Sequence, residues 1–142
     1  MLYIRTDGNA EIGTGHVMRC LSIATTYQKS GGDCIFITAD EQMKPLLDEQ
    51  GFFIICLNSV WNDLDKETEK MEQLINKRKI EKLLIDSYFV TPEYLERLNK
   101  LTYLIYMNSA PVVRQLLCSL WQIISFLRLK PSKTDICLDV EI

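Results

Sequence analysis

Five short runs rich in Ile, Leu, Phe and Tyr alternate with segments of helical periodicity over residues 1–107, and this alternation restricts the fold more than any single motif does. Leu2–Thr6 reads as a buried first strand, and a glycine-containing loop follows it. From His16 to about Ser30 the apolar residues Val17, Cys20, Leu21, Ala24 and Tyr27 recur at helical spacing, with Gly31-Gly32 as the stop. Cys34–Thr38, Phe53–Leu57, Lys82–Asp86 and Thr102–Met107 supply four further strands. Helices are expected over Glu41–Gln50, Asp63–Lys79 and Pro92–Lys100, the last opened by a proline suited to a first turn.

Near-continuous apolar strands separated by helices imply a parallel sheet buried on both faces. Right-handed crossovers then give a doubly wound, Rossmann-like α/β domain, in which ligands sit at the carboxyl ends of the strands. Two polar loops leave such ends: Asp7–Gly15 after the first strand, and Asp86-Ser87-Tyr88 after the fourth.

The first loop runs Gly8-Asn9-Ala10-Glu11-Ile12-Gly13-Thr14-Gly15 and delivers the chain to His16, its one histidine. It lacks the Gly-Lys-Ser/Thr ending of a P-loop and the GxGxxG spacing of a dinucleotide fingerprint, so ATP and nicotinamide chemistry are not supported. Gly13 and Gly15 let a ligand approach the backbone and leave the first helical N–H groups free to meet an anion; a tight turn needing positive φ is the competing reading. His16 stands at a helix start, where the dipole favours a neutral imidazole able to accept a proton. A lone histidine is also commonly a satisfied structural residue. Arg19, one turn on, suits a phosphate or carboxylate, or a surface salt bridge. Asp7 and Asn9 suit ligand contacts or the capping of their own loop, and Asp86 and Tyr88 suit substrate positioning, with a helix cap as the plainer role for Asp86.

The 142 residues, 47% of them apolar and 25% charged, are enough for one domain with a core of its own. A net charge of -3 with interspersed acids and bases leaves no electrostatic footprint for nucleic acid or an anionic membrane, so a small molecule or a protein is the expected partner. The five cysteines form no CxxC pair and no zinc-spaced Cys/His cluster, and their odd number argues against a disulfide framework; reduced thiols in a cytoplasmic protein are expected. No signal peptide is read at the start of the chain, and the apolar-rich run from Leu116 to Leu127 is too short to span a bilayer.

Taken together, Arg5-x-Asp7-x-Asn9-x-x-Ile12-Gly13-x-Gly15-His16-x-x-Arg19-Cys20-Leu21 and Leu83-Leu84-Ile85-Asp86-Ser87-Tyr88 resemble the N-terminal domain of the UDP-2,4-diacetamido-2,4,6-trideoxy-β-L-altropyranose hydrolases of pseudaminic acid biosynthesis. That family is related to the nucleotide-sugar enzymes of the GT-B fold, and the resemblance covers roughly residues 1–107. It implies the N-terminal half of a GT-B-type fold and a UDP-linked sugar as substrate. Water attacks the anomeric carbon with inversion and releases UDP. His16 is the implied general base. Asp7, Asn9, Gly13, Gly15, Arg19, Asp86 and Tyr88 are the implied substrate-binding residues, with no metal and no cofactor.

The likeness stops near Asn108, where Met107-Asn108-Ser109 replaces the family's acidic pair. Residues 108–142 are therefore expected to be a divergent tail produced by truncation or a frame shift. In GT-B enzymes the second domain holds most of the UDP, so low or absent activity of the isolated chain is expected, and a separate C-terminal domain chain is a candidate partner. Two alternatives stand beside hydrolysis: a non-catalytic nucleotide-sugar-binding or partner-binding fragment, and the N-domain of a GT-B glycosyltransferase.

Overall fold

The computed structural model describes residues 1–107, and the expected divergent tail lies outside them. The elements follow in the order β1 (Leu2–Thr6), α1 (Gly15–Lys29), β2 (Cys34–Thr38), α2 (Lys44–Glu49), β3 (Phe53–Cys56), a 3-10 turn (Leu64–Glu67), α3 (Thr68–Arg78), β4 (Lys82–Asp86), α4 (Pro92–Asn99) and β5 (Tyr103–Tyr106). All five strands are parallel, in the spatial order β3-β2-β1-β4-β5. The doubly wound Rossmann-like sheet expected from the alternation is the fold observed.

The inner strands β2, β1 and β4 are largely apolar on both sides because helices cover both faces. On one face, Val17, Cys20, Leu21, Ile23, Ala24 and Tyr27 of α1 and Leu47 of α2 pack on Leu2, Ile4, Phe36, Leu84 and Ile105. On the other, Met71 and Ile75 of α3 and Tyr94 and Leu98 of α4 pack on Tyr3, Ile37, Leu83, Ile85 and Leu104. Truncating a fully buried residue such as Ile37 or Leu83 to Ala would cost roughly 2–5 kcal/mol through lost burial and the cavity left behind.

Several boundaries differ from the sequence reading; β3 ends at Cys56 and β5 runs only from Tyr103 to Tyr106, and the larger changes fall in the helices. Helix α2 begins at Lys44 rather than Glu41, with Pro45 in its first turn, where a missing N–H costs nothing. Ahead of it Asp40 folds back, accepting the Gln42 N–H at 2.9 Å. The expected helix over 63–79 is broken into the 3-10 turn and α3, because the chain turns Glu67 inward to meet Arg5 of β1. Lys79 closes α3 in the left-handed conformation, at φ 51°.

The strand order reverses between β1 and β4. Neighbouring strands there send their connections to opposite faces, the arrangement in which open α/β sheets bind ligands outside the carboxyl ends of their strands. Thr6 and Asp86 are register partners at those ends, so the two polar loops are brought side by side.

Candidate active site

The loop after β1 is shaped by its own backbone. Asn9 and Gly13 exchange backbone hydrogen bonds of 3.2 and 2.8 Å across an isolated antiparallel bridge, and the Asn9 side-chain oxygen accepts the N–H groups of Glu11 and Ile12. Gly13 closes the turn at φ +73°, a conformation costly for any residue with a Cβ. Gly8 is glycine for another reason: a Cβ there would stand 2.9 Å from the Met43 sulfur and from a methyl of Val17. Gly15 has open space around the position of a Cβ and begins α1, whose Thr14 cap contributes no side-chain hydrogen bond.

This turn sets His16 at the start of α1 with its ring only 5% exposed. Its Nδ1 lies 2.7 Å from Asp86 Oδ1, at the end of β4. Arg19, one helical turn on, grips the same carboxylate with two nitrogens: Nε donates to Oδ2 at 2.8 Å and Nη2 donates to Oδ1. The Cys20 thiol approaches Oδ2 at 3.5 Å. Asp86 is wholly buried. Burial alone would raise its carboxyl, but the hydrogen bonds from His16 and Arg19 and the charge of Arg19 outweigh it and hold the group below the usual carboxylate range. Burial and the neighbouring Asp86 push the Cys20 thiol well up, so it stays protonated.

An ionised Asp86 has no proton to give, so Nδ1 of His16 is the donor in their hydrogen bond. In the neutral form of the ring the lone pair then lies on Nε2. That atom is buried and has no hydrogen-bond partner among the described residues. The Tyr88 ring stands edge-on to the imidazole, 4.2 Å between centroids, and is itself 61% exposed. A second aromatic contact, Trp61 with Phe89, lies one residue further along the same loop.

The structure brings His16, Arg19, Asp86 and Tyr88 into one cluster. Gly13 and Gly15 lie in the turn that leads into it. Asp7 and Asn9 are engaged within the protein. Asp7 Oδ1 accepts the Ala39 N–H at 2.7 Å and Oδ2 accepts Arg5 Nη1 at 2.6 Å, while burial pushes its carboxyl above the ordinary value against the pull of Arg5. The Asn9 side-chain oxygen is occupied in its own loop, while its Nδ2 is buried with no hydrogen-bond partner among the described residues.

Two residues absent from the expected site organise its surroundings. Arg5, fully buried in the middle of β1, pairs with Glu67 through Nε at 2.7 Å and Nη2 at 2.8 Å. Glu67 also accepts the hydroxyls of Ser59 and Tyr94, at 2.6 and 2.9 Å. Burial works against the Arg5 charge, but Asp7 and Glu67 bind its proton more firmly than usual. The signal for Arg5 was an arginine inside an apolar strand; nothing local marked Glu67 as its partner.

Among the described residues no group of three or more His, Cys, Asp or Glu is placed to hold a metal ion, and no helix is long and apolar enough to cross a membrane. Cys20, Cys34 and Cys56 are free thiols.

The all-parallel sheet, with its charged cluster at the point where the strand order reverses, defines the chain as a doubly wound, Rossmann-like α/β domain. A solved structure shares that architecture: the crystal structure of MurG from Acinetobacter baumannii is similar with a TM-score of 0.53 and 16% sequence identity, over 86% of this chain. The chain spans 38% of the length of MurG. At that identity the likeness is one of fold. No protein-family model and no curated protein matches the chain.

Proposed function

We propose that this domain is the base-bearing half of a sugar-nucleotide enzyme of GT-B organisation, in which His16 activates a hydroxyl nucleophile for attack on the anomeric carbon of a UDP-linked sugar. The observation that carries the reading is the His16–Asp86 pair: Nδ1–H held at 2.7 Å by a buried carboxylate, with Nε2 left without a partner among the described residues. A base so placed takes the nucleophile's proton on Nε2 as the oxygen bonds to C1. The C1–O bond to the diphosphate breaks, UDP departs, and C1 inverts. Asp86 stabilises the imidazolium that forms, and the uncapped start of α1 offers N–H groups to negative charge on the diphosphate.

Water is the nucleophile in this proposal, and the sugar is a UDP-linked 2,4-diacetamido-2,4,6-trideoxy hexose; the motif resemblance supports both. The fold likeness to MurG and the GT-B organisation support a second reading, in which a sugar hydroxyl takes the place of water and the product is a glycoside. The same base serves both reactions. The opposite wall of the cleft belongs to a second Rossmann-like domain, in this polypeptide or in another.

Chromatographic measurement of UDP release from the altropyranose substrate, with wild type and His16→Ala compared, tests the base. Wild-type release should exceed that of the variant by roughly 10²–10⁴-fold, the usual contribution of a positioned base. Equal rates, or no release above background from either protein with the second Rossmann-like domain supplied, overturn the reading. Release that requires an added sugar acceptor assigns transfer over hydrolysis.

A further inference from the structure

The sequence suggested Arg19 as an anion clamp, but its guanidinium is turned inward. Both oxygens of Asp86 are engaged by it, Oδ2 by Nε and Oδ1 by Nη2, with the Arg19 side chain only 23% exposed and Asp86 fully buried. The oxygen held by Nη2 is the one that faces His16 Nδ1. We propose that Arg19 is a positioning residue: it locks the Asp86 carboxylate in the rotation that fixes the His16 proton on Nδ1, and so keeps Nε2 the acceptor. This rests on His16 being the base.

The geometry constrains the alternatives. A carboxylate held only by His16 would be free to rotate about its terminal torsion, whose wells are broad. A planar guanidinium donating along two parallel directions removes that freedom, which a lysine's single ammonium cannot do. Arg19 Nη2 also lies 3.4 Å from His16 Nδ1, a contact that would become a hydrogen bond only if Nδ1 gave up its proton. The bond to Asp86 at 2.7 Å is the shorter and charge-assisted one, and it decides the tautomer.

Because His16 is the chain's one histidine, labelling histidine with ¹⁵N gives a single imidazole, and its two nitrogens, told apart by their couplings to the ring C–H protons, report the tautomer. The expected wild-type spectrum, at a pH where the ring is neutral, shows a protonated Nδ1 and an unprotonated Nε2. In Arg19→Gln the two nitrogens should move toward each other as the tautomers mix, and Arg19→Lys should fall between. A wild-type-like spectrum in Arg19→Gln overturns the proposal. If Arg19→Gln does not fold, Arg19→Lys, which keeps the charge without the fork, carries the comparison.

Steady-state kinetics gives the second readout. Removing an outer partner that orients a working histidine should lower kcat by about 10–100-fold with KM little changed. A raised KM with unchanged kcat would return Arg19 to the role of anion clamp. The spectrum needs no turnover, so it separates failure of this proposal from failure of the hydrolase reading, which His16→Ala decides.

Discussion

His16 and Asp86 are 70 positions apart in the sequence and 2.7 Å apart in the folded chain, joined by a hydrogen bond from the imidazole Nδ1 to a carboxylate that solvent does not reach. The contact exists because β1 and β4 are neighbours with Thr6 opposite Asp86, so the helix that starts after β1 begins beside the end of β4. Every other chemical feature of the site is arranged around that bond.

Asp86→Asn is the most direct probe of it. An amide has nearly the same shape but no negative charge, and its NH₂ group can donate to Nδ1, which would move the imidazole proton to Nε2. The proposed base then faces the nucleophile with a proton already in place. UDP release should fall by roughly 10²–10⁴-fold, as far as for His16→Ala. Release within a fewfold of wild type would separate Asp86 from the chemistry.

Acid should expose the same residue in stability. Asp86 titrates below its ordinary value of 3.8 in the folded chain, so the stability it contributes is present above that value and is lost as pH falls through the lower, folded-state one. Asp7 is raised, so its contribution is present below its ordinary value and is lost as pH rises through the folded-state one. Comparing wild type with Asp86→Asn isolates the first effect. Urea denaturation at successive pH values below 3.8 should show the wild type losing stability more steeply than the variant. Parallel curves would contradict this assignment.

Gly13 and Gly15 separate backbone need from ligand approach. Gly13 sits at φ +73° with open space around it, so Gly13→Ala should cost roughly 1–2 kcal/mol through backbone conformation alone. Gly15 is at the first position of α1, also in open space but with no positive φ, so Gly15→Ala should leave stability unchanged or raise it by up to about 1 kcal/mol. Denaturation midpoints check both. A raised KM in the stable Gly15→Ala protein would mark a ligand that passes close to that backbone.

The Arg5–Glu67 pair predicts a non-additive result. Removing one partner leaves a charge in a site with no solvent, so Glu67→Leu should cost roughly 3–5 kcal/mol. The double variant Arg5→Met/Glu67→Leu should recover part of that loss by removing both charges of the pair, the rest persisting because Asp7 and the hydroxyls of Ser59 and Tyr94 lose their partners. Urea unfolding of the two single variants and the double variant closes the cycle, and strict additivity would show that the pair does not act as a unit.

Much of the architecture was legible along the chain. Apolar runs and glycine stops located the elements, since burial on two faces leaves strands with a near-continuous apolar pattern. The strand boundaries of β1, β2 and β4 match the sequence reading residue for residue. The break between Glu67 and Thr68 was not legible, because Glu67 looks like any polar residue on a helix until Arg5 is known to lie beneath it. The site was legible as a set of residue types and not as a set of roles. Asp7, Asn9 and Arg19 belong to residue types that bind ligands and also to types that bind their own protein. Geometry alone shows Asp7, Arg19 and the side-chain oxygen of Asn9 engaged within the protein.

The sequence by itself determined the parallel α/β sheet, the glycine turn after the first strand, and a histidine at the start of the first long helix, because periodicity and backbone freedom are local properties. Only the tertiary structure decided which carboxylate holds that histidine, and that Arg19 and Arg5 face inward to Asp86 and Glu67. Those pairings depend on strand order, and strand order is set by how the two apolar faces of the whole sheet are buried at once.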